Sequence, residues 1–410
     1  MAPYTTVTQP LREPHGVADA VLTGLAAMIG AGLFAGLGPA SAMVGGWLPV
    51  AFAVAAIPAV LSSCCTGDQA SVFPGVGGGY RYTREQLGRW PGRMAGGLYL
   101  ASRAAAAAAL AGCFGDYVAP DRPELPAIGL LVVVVVFDLM DVRPPGRATT
   151  ALTIFVLVVL ALVVAACFAI PPPPPTGVLP RAGTPGLDQP ANLLPAAGLL
   201  FFAFLGFERV TAPGGRPLTP RRLRVVVPVL TVVALGTYLA VTYAVLRQLG
   251  PTRLALSTAP LRDALDAAEA ATLDPVVTIG AAAACAVGLL LVIGGGRRTA
   301  DAMTISGDLP FARWLIAGGA VLGVLVADTG QALTLAATCA LFYYAFTNAS
   351  ARLLRRDERT WPRRTACFGL GVTVLIGMTM PSVDLAIALL VTVAAGLAGP
   401  LLALAGPARR

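Results

Sequence analysis

Apolar residues gather into twelve runs along the chain, at roughly 18–43, 47–66, 93–118, 126–142, 149–170, 192–212, 225–248, 274–295, 313–328, 331–350, 364–380 and 383–405. A helix needs about 20 mostly apolar residues to cross a bilayer, and each run is near that length. The polar stretches between them are short. Runs nine and ten are divided by the turn signal Asp328-Thr329-Gly330, and runs eleven and twelve by Pro381-Ser382 with Asp384. The pattern predicts an all-α integral membrane protein with about 12 transmembrane helices.

Composition sharpens this. The chain is 56% apolar and only 12% charged over 410 residues. Soluble domains carry about 25% charge, so an ordinary cytosolic globule and a disordered chain are both excluded. All 29 basic residues are arginine; lysine is absent. With the N-terminus inside, 23 arginines fall in inner segments and five (Arg122, Arg181, Arg247, Arg253 and Arg262) in outer ones, while Arg103 alone lies inside a run. That split is a positive-inside signal for a multi-pass plasma-membrane protein with both termini cytoplasmic. The net charge of +8 is therefore a matter of topology. No basic run is interleaved with aromatics, so no nucleic-acid partner is expected.

The rarer residues exclude more. His15 is the single histidine, in the polar tail, so a histidine dyad, relay or multi-histidine metal site lacks its material. The seven cysteines sit in or beside apolar runs and form no Cys-x-x-Cys pair, which argues against disulfides and zinc. The polar, mixed-charge first twenty residues do not read as a cleavable signal. In the outer loops, 171–175 is five prolines, a stiff spacer, and 250–273 mixes acids with apolar residues as a short surface helix would.

Two runs are interrupted. Run one holds Met28-Ile29-Gly30-Ala31-Gly32-Leu33-Phe34, and run six holds Phe201-Phe202-Ala203-Phe204-Leu205-Gly206-Phe207-Glu208. A broken helix leaves backbone groups unpaired, which is tolerated only in protein interior or beside a water-filled cavity. There, free amides can hold a carboxylate and free carbonyls an ammonium group. Breaks in runs one and six are what a five-plus-five inverted repeat predicts. The expected organisation is a tail (1–17), a first repeat (18–170), an outer Pro-rich loop (171–191), a second repeat (192–350), a basic inner loop (351–363), two further helices (364–405) and a C-terminal tail (406–410). Each glycine cluster also has a packing explanation, the close approach of neighbouring helices.

Arg103 lies about 15 Å into its run at 1.5 Å per residue, near the middle of a core of about 30 Å. Intramembrane arginine faces a partner or a cavity. It is expected either to bind a substrate carboxylate or to pair with an acid such as Glu208 or Asp68, or else to be structural. Asp68, near the end of run two, is expected to order the loop that follows or to take part in gating.

These elements together resemble the amino acid–polyamine–organocation transporter superfamily, over about residues 15–365 and in order. Gly-Ala-Gly-Leu-Phe at 30–34 is similar to its first-helix element. FPGVGGGYRYTREQLGRWPG at 73–92 resembles its loop after helix two, and FFAFLGFE at 201–208 its sixth-helix element. TPRR at 219–222, RRTADAMTISGDLP at 297–310 and FYYAFTNASARLLRRDERTWPRR at 342–364 resemble later loops and the end of helix ten. The resemblance implies a substrate between helices one and six. Amides around Ala31 and Gly32 would take the carboxylate. Carbonyls near Met28, Phe202 and Leu205 would take the amine, Phe202 or Phe204 would close over it, and Gly30 and Gly206 are further substrate-binding candidates. Glu208 occupies the family's acidic position, and the 75–79 loop would be a cytoplasmic gate. GVGGGY lacks the Lys-Ser/Thr of a phosphate loop.

The chain departs from the family in three places. Gly214-Gly215-Arg216 stands where an acid is usual. No lysine exists to serve as the cation that some relatives carry in helix five. Leu291 to Gly296 offers no hydroxyl where sodium-coupled relatives carry them. A sodium site is therefore not supported, no cofactor is expected, and a proton on Glu208 or another acid, exchange, or facilitation remain. The leading expectation is a permease for an amino acid or small amine, not an enzyme. The alternative is a non-transporting sensor or partner subunit of the same fold. Oligomeric state carries no sequence signal.

Overall fold

The computed structural model describes residues 16–29, 31–141, 146–172, 189–212, 217–309 and 312–405. Among these residues every regular element is helical. In chain order they are α1 (Val17–Met28), α2 (Ala31–Phe34), α3 (Leu37–Val44), α4 (Leu48–Val72), α5 (Gly78–Leu87), α6 (Arg89–Val118), α7 (Glu124–Leu139), α8 (Gly146–Ala169), α9 (Leu193–Phe204), α10 (Glu208–Thr211), α11 (Pro220–Ala255), α12 (Pro260–Ala267), α13 (Asp274–Ile305), α14 (Ala312–Val326), α15 (Thr329–Ala351), α16 (Arg363–Gly377) and α17 (Ser382–Ala405). The expectations made for His15, Gly30, most of the Pro-rich loop, Gly214-Gly215-Arg216 and the C-terminal tail lie outside the described residues.

Among the described residues six stretches are long and apolar enough to cross a membrane: Leu37–Val72, Arg89–Val118, Gly146–Ala169, Pro220–Ala255, Ala271–Ile305 and Thr329–Ala351. Val17–Met28, Pro190–Phe204, Trp314–Val326 and Ser382–Ala398 are shorter apolar helices. Burial separates centre from periphery. The apolar windows of α6 and α15 are 78% buried, against 33% for α8. A helix facing lipid keeps much of its surface open, so α6 and α15 form the interior and α8 the rim. The alanine run 104–109 suits α6 to that place. Alanine is the best helix former, and small side chains let α13, α14 and α15 pack against it closely.

Helix ends follow local chemistry. The Asp328 side chain accepts a hydrogen bond from the Gln331 amide at 2.7 Å, capping α15 and separating it from α14. The stretch 250–273 bends at Gly250, continues as the end of α11, then forms α12. Two elements differ from the sequence reading. α13 runs on to Ile305, well past residue 295, and Arg297 in this extension pairs with Asp138 at 3.1 Å and Asp141 at 2.8 Å. Within 73–92, read as a loop, Gly78–Leu87 is helical. Its buried residues are Gly79, Tyr80, Tyr82 and Thr83 rather than an aliphatic run.

Candidate functional site

The chain leaves helical geometry at two places that lie against each other. At the end of α1, Ile29 is extended (φ −80°, ψ 98°) and α2 begins at Ala31. At the end of α9, Leu205 is extended (φ −64°, ψ 136°), Gly206 has φ +123°, and α10 begins at Glu208. Two glycines bring these breaks together. A Cβ on Gly32 would lie 2.5 Å from the Ala203 Cα, and one on Gly206 would lie 2.6 Å from the Ala27 carbonyl. Each break is thus inserted where the other lacks a side chain. One carbonyl of the interrupted α9 turn is satisfied from outside, since the Tyr238 hydroxyl donates to the Ala203 oxygen at 2.6 Å.

Beside the breaks lies a cavity of about 70 Å³. By the same measure a single water needs roughly 10–15 Å³, so the space is small, with room for a few waters. Met28, Phe202, Leu205 and Gly206 line it from the breaks, with Leu110, Leu291 and Val292 as further apolar wall. One end is formed by Val76 to Gly79, Arg298 and Thr299.

In the polar wall, Tyr99, Arg103 and Glu208 form a cluster that Tyr344 backs from behind the lining. Glu208 receives one hydrogen bond on each oxygen: Tyr99 donates to Oε2 at 3.0 Å, and Tyr344 donates to Oε1 at 2.5 Å. A terminal nitrogen of Arg103 lies 3.6 Å from Glu208 Oε1, and its guanidinium sits 4.8 Å above the Tyr99 ring. The Arg103 side chain is 7% exposed. Tyr99 and Arg103 are one turn apart on α6, so they share a face. That face packs on the glycine run of α13. A Cβ on Gly296 would meet the Arg103 Cβ at 3.3 Å, and one on Gly295 the Tyr99 hydroxyl at 3.3 Å.

The sequence-predicted residues divide accordingly. Met28, Phe202, Leu205, Gly206, Glu208 and Arg103 come together around the cavity. Gly32 is directed at Ala203 instead. Phe204 is fully buried against Tyr238, with ring centroids 5.2 Å apart, and does not line the cavity. The backbone of Ala31 opens α2. Of the two acids proposed for Arg103, Glu208 is the one beside it. Asp68 accepts hydrogen bonds from the backbone amides of Thr360 (2.9 Å) and Trp361 (3.2 Å), so the loop it orders is the one before α16. Tyr99, Tyr343 and Tyr344 were not singled out from the sequence; a tyrosine four residues before an intramembrane arginine was the available signal.

At the end of the molecule near Val76–Gly79, a second charged cluster closes over Asp308. Its side chain is fully buried and accepts from Tyr80 at 2.7 Å, Arg84 at 2.9 Å and Arg93 at 2.9 Å. The Tyr343 hydroxyl accepts from the Gly79 amide at 2.9 Å, tying the glycine loop to α15.

Described residues whose regular elements are all helical, several of them of membrane length, with a charged pocket at two apposed helix breaks, have the make-up of a multi-pass membrane transport protein rather than an enzyme. Comparison with known proteins gives the family. Residues 16–403 match the family model described as amino acid permease. The chain is 35% identical over 394 residues to an uncharacterized transporter of Mycobacterium tuberculosis, covering 92% of this chain and 88% of that one. It is 30% identical over 247 residues to an aromatic amino acid transport protein of Corynebacterium glutamicum, covering 54% and 51%. It is 23% identical over 243 residues to a branched-chain amino acid permease of Bacillus subtilis, covering 53% and 51%. The chain belongs to the amino acid permease family, within the amino acid–polyamine–organocation superfamily.

Proposed function

We propose that this protein is a secondary transporter that moves an amino acid or small amine across the plasma membrane by alternating access. The reading is carried by one observation, the pocket at the meeting of two helix breaks with the Arg103–Glu208 pair in its wall. In this reading the chain crosses the bilayer about twelve times, as a five-plus-five inverted repeat and two further helices, with both termini cytoplasmic. The substrate ammonium goes to the carbonyls freed near Met28, Phe202 and Leu205, and the carboxylate to the amides that open α2 around Ala31. Phe202 closes over it. The Val76–Gly79 loop gates the cytoplasmic mouth. Glu208 is the proton carrier if transport is proton-coupled, since lysine is absent.

The apolar wall of Met28, Leu110, Phe202, Leu291 and Val292 suits an apolar side chain, in keeping with the aromatic amino acid and branched-chain amino acid relatives. Uptake of radiolabelled neutral, basic and acidic amino acids and amines into proteoliposomes tests the reading. Saturable uptake of one or more is expected. A panel that gives neither uptake nor binding ends it, and binding without flux would instead support a sensor of the same fold.

A further inference from the structure

We propose that Arg103 is the group that reads a carboxylate on the transported molecule, so that the pocket takes carboxylate-bearing amino acids and refuses the amines left when that carboxylate is removed. This rests on the transport reading above and narrows its substrate class.

Arg103 has donors to spare. A guanidinium carries five N–H groups in a planar fork. Here Nε has no hydrogen-bond partner. The contact to Glu208 is a single one of 3.6 Å, longer than the roughly 2.7–2.9 Å of a charge-assisted hydrogen bond. The Tyr99 ring offers its face and accepts no strong hydrogen bond. At 7% exposure, water supplies little. A buried charge so sparsely bonded is costly until another acceptor joins it.

Glu208 is in the opposite position. Tyr99 and Tyr344 each donate to one of its oxygens. It keeps both hydrogen bonds if the guanidinium turns away, so the pair can part at the arginine end. The amides that open α2 around Ala31 receive the carboxylate in the transport reading, but α2 has only four residues, too short for much helix dipole, and Arg103 adds the full charge that they lack. A carboxylate presents two oxygens that match the guanidinium fork. An ammonium set against the fork meets the like charge of the guanidinium, and the Glu208 carboxylate beside it is already engaged by Tyr99 and Tyr344.

The test uses the full-length protein in lipid nanodiscs, with calorimetric and thermal-shift titrations of matched pairs: L-leucine and isoamylamine, L-phenylalanine and phenethylamine, L-lysine and cadaverine. The wild-type protein is expected to bind one or more of the amino acids at least tenfold more tightly than the matching amine. The double variant Arg103→Gln/Glu208→Gln, which leaves no unpaired buried charge, is expected to lose that gap. Arg103→Lys should narrow it by removing the fork while keeping the charge. An amine bound within threefold of its parent overturns the assignment, as does a monodisperse double variant with the gap intact. Should the double variant not fold, an unchanged gap in Arg103→Lys does the same. Proteoliposome uptake separates the two layers: amino acid transport without the gap leaves the transport reading standing and removes this one, and a panel with no binding and no uptake removes both.

Discussion

Gly206 carries two constraints that no other residue type meets. Its φ of +123° disfavours any side chain, and a Cβ would lie 2.6 Å from the Ala27 carbonyl. Gly206→Ala is therefore expected to separate the two breaks, costing at least the ~1–3 kcal/mol typical of overpacking. A lowered thermal midpoint of the purified protein checks this, and an unchanged midpoint would refute it. At this scale the sequence revealed which residues are special but not what they touch. Arg103 and Glu208 stood out as charges in apolar runs, yet their pairing depends on how α6 and α10 meet, which no local pattern encodes. Phe202 and Phe204 looked equivalent. Two residues apart on a helix they point about 200° from one another, so only one can face the cavity. Gly32 read as an opening for backbone approach to a ligand; it is an opening for Ala203.

The elements were legible where the signal was a long apolar run and illegible where it was mixed. Several helices end close to their expected bounds where Asp328, Pro381 and the Arg-rich loops punctuate them, whereas α4, α11 and α13 run six to ten residues further. α5 was missed because ten residues with tyrosines as their apolar side do not look like a span. α5 is nonetheless held firmly, through Asp308. Burial acts to raise that carboxyl, but the hydrogen bonds from Tyr80, Arg93 and Arg84 outweigh it and hold it below its ordinary value. Its stabilising contribution is thus complete above the ordinary aspartate value of about 4 and is lost as pH falls through the lowered folded value. Asp308→Asn leaves two arginines without their carboxylate and is expected to cost about 3–5 kcal/mol near neutral pH. Melting curves from pH 3 to 7 should show the variant's deficit shrinking at the acid end; a deficit constant with pH would contradict the clamp. A second tether is simpler to read. Asp68→Ala frees the amides of Thr360 and Trp361, and trypsin is expected to cut faster at Arg359 and Arg363 than in wild type. Equal cutting rates would mean that the loop is held by other contacts.

For the whole molecule, the arginine count is the strongest single guide. Twenty-three of 29 arginines on one side predicts where the termini lie. A green fluorescent protein fused at Arg410 should fluoresce, and alkaline phosphatase fused at the same place should be inactive; the reverse pattern would invert the topology. The centre of the molecule was not legible in this way. Hydropathy ranks helices by how well they suit lipid, whereas α6 and α15 are central because they suit each other.

That inversion bears on how the protein is made. Of the six membrane-length stretches, α6 and α15 are the least apolar and the most buried. α6 also carries Arg103, a residue whose insertion costs about 2.5–3.5 kcal/mol at mid-membrane. Its counter-ion Glu208 is synthesised about a hundred residues later. During synthesis α6 therefore leaves the translocon before Glu208 exists to match its charge. In a glycosylation-mapping assay, α6 alone is expected to insert poorly, and better when α4 precedes it and α9 follows.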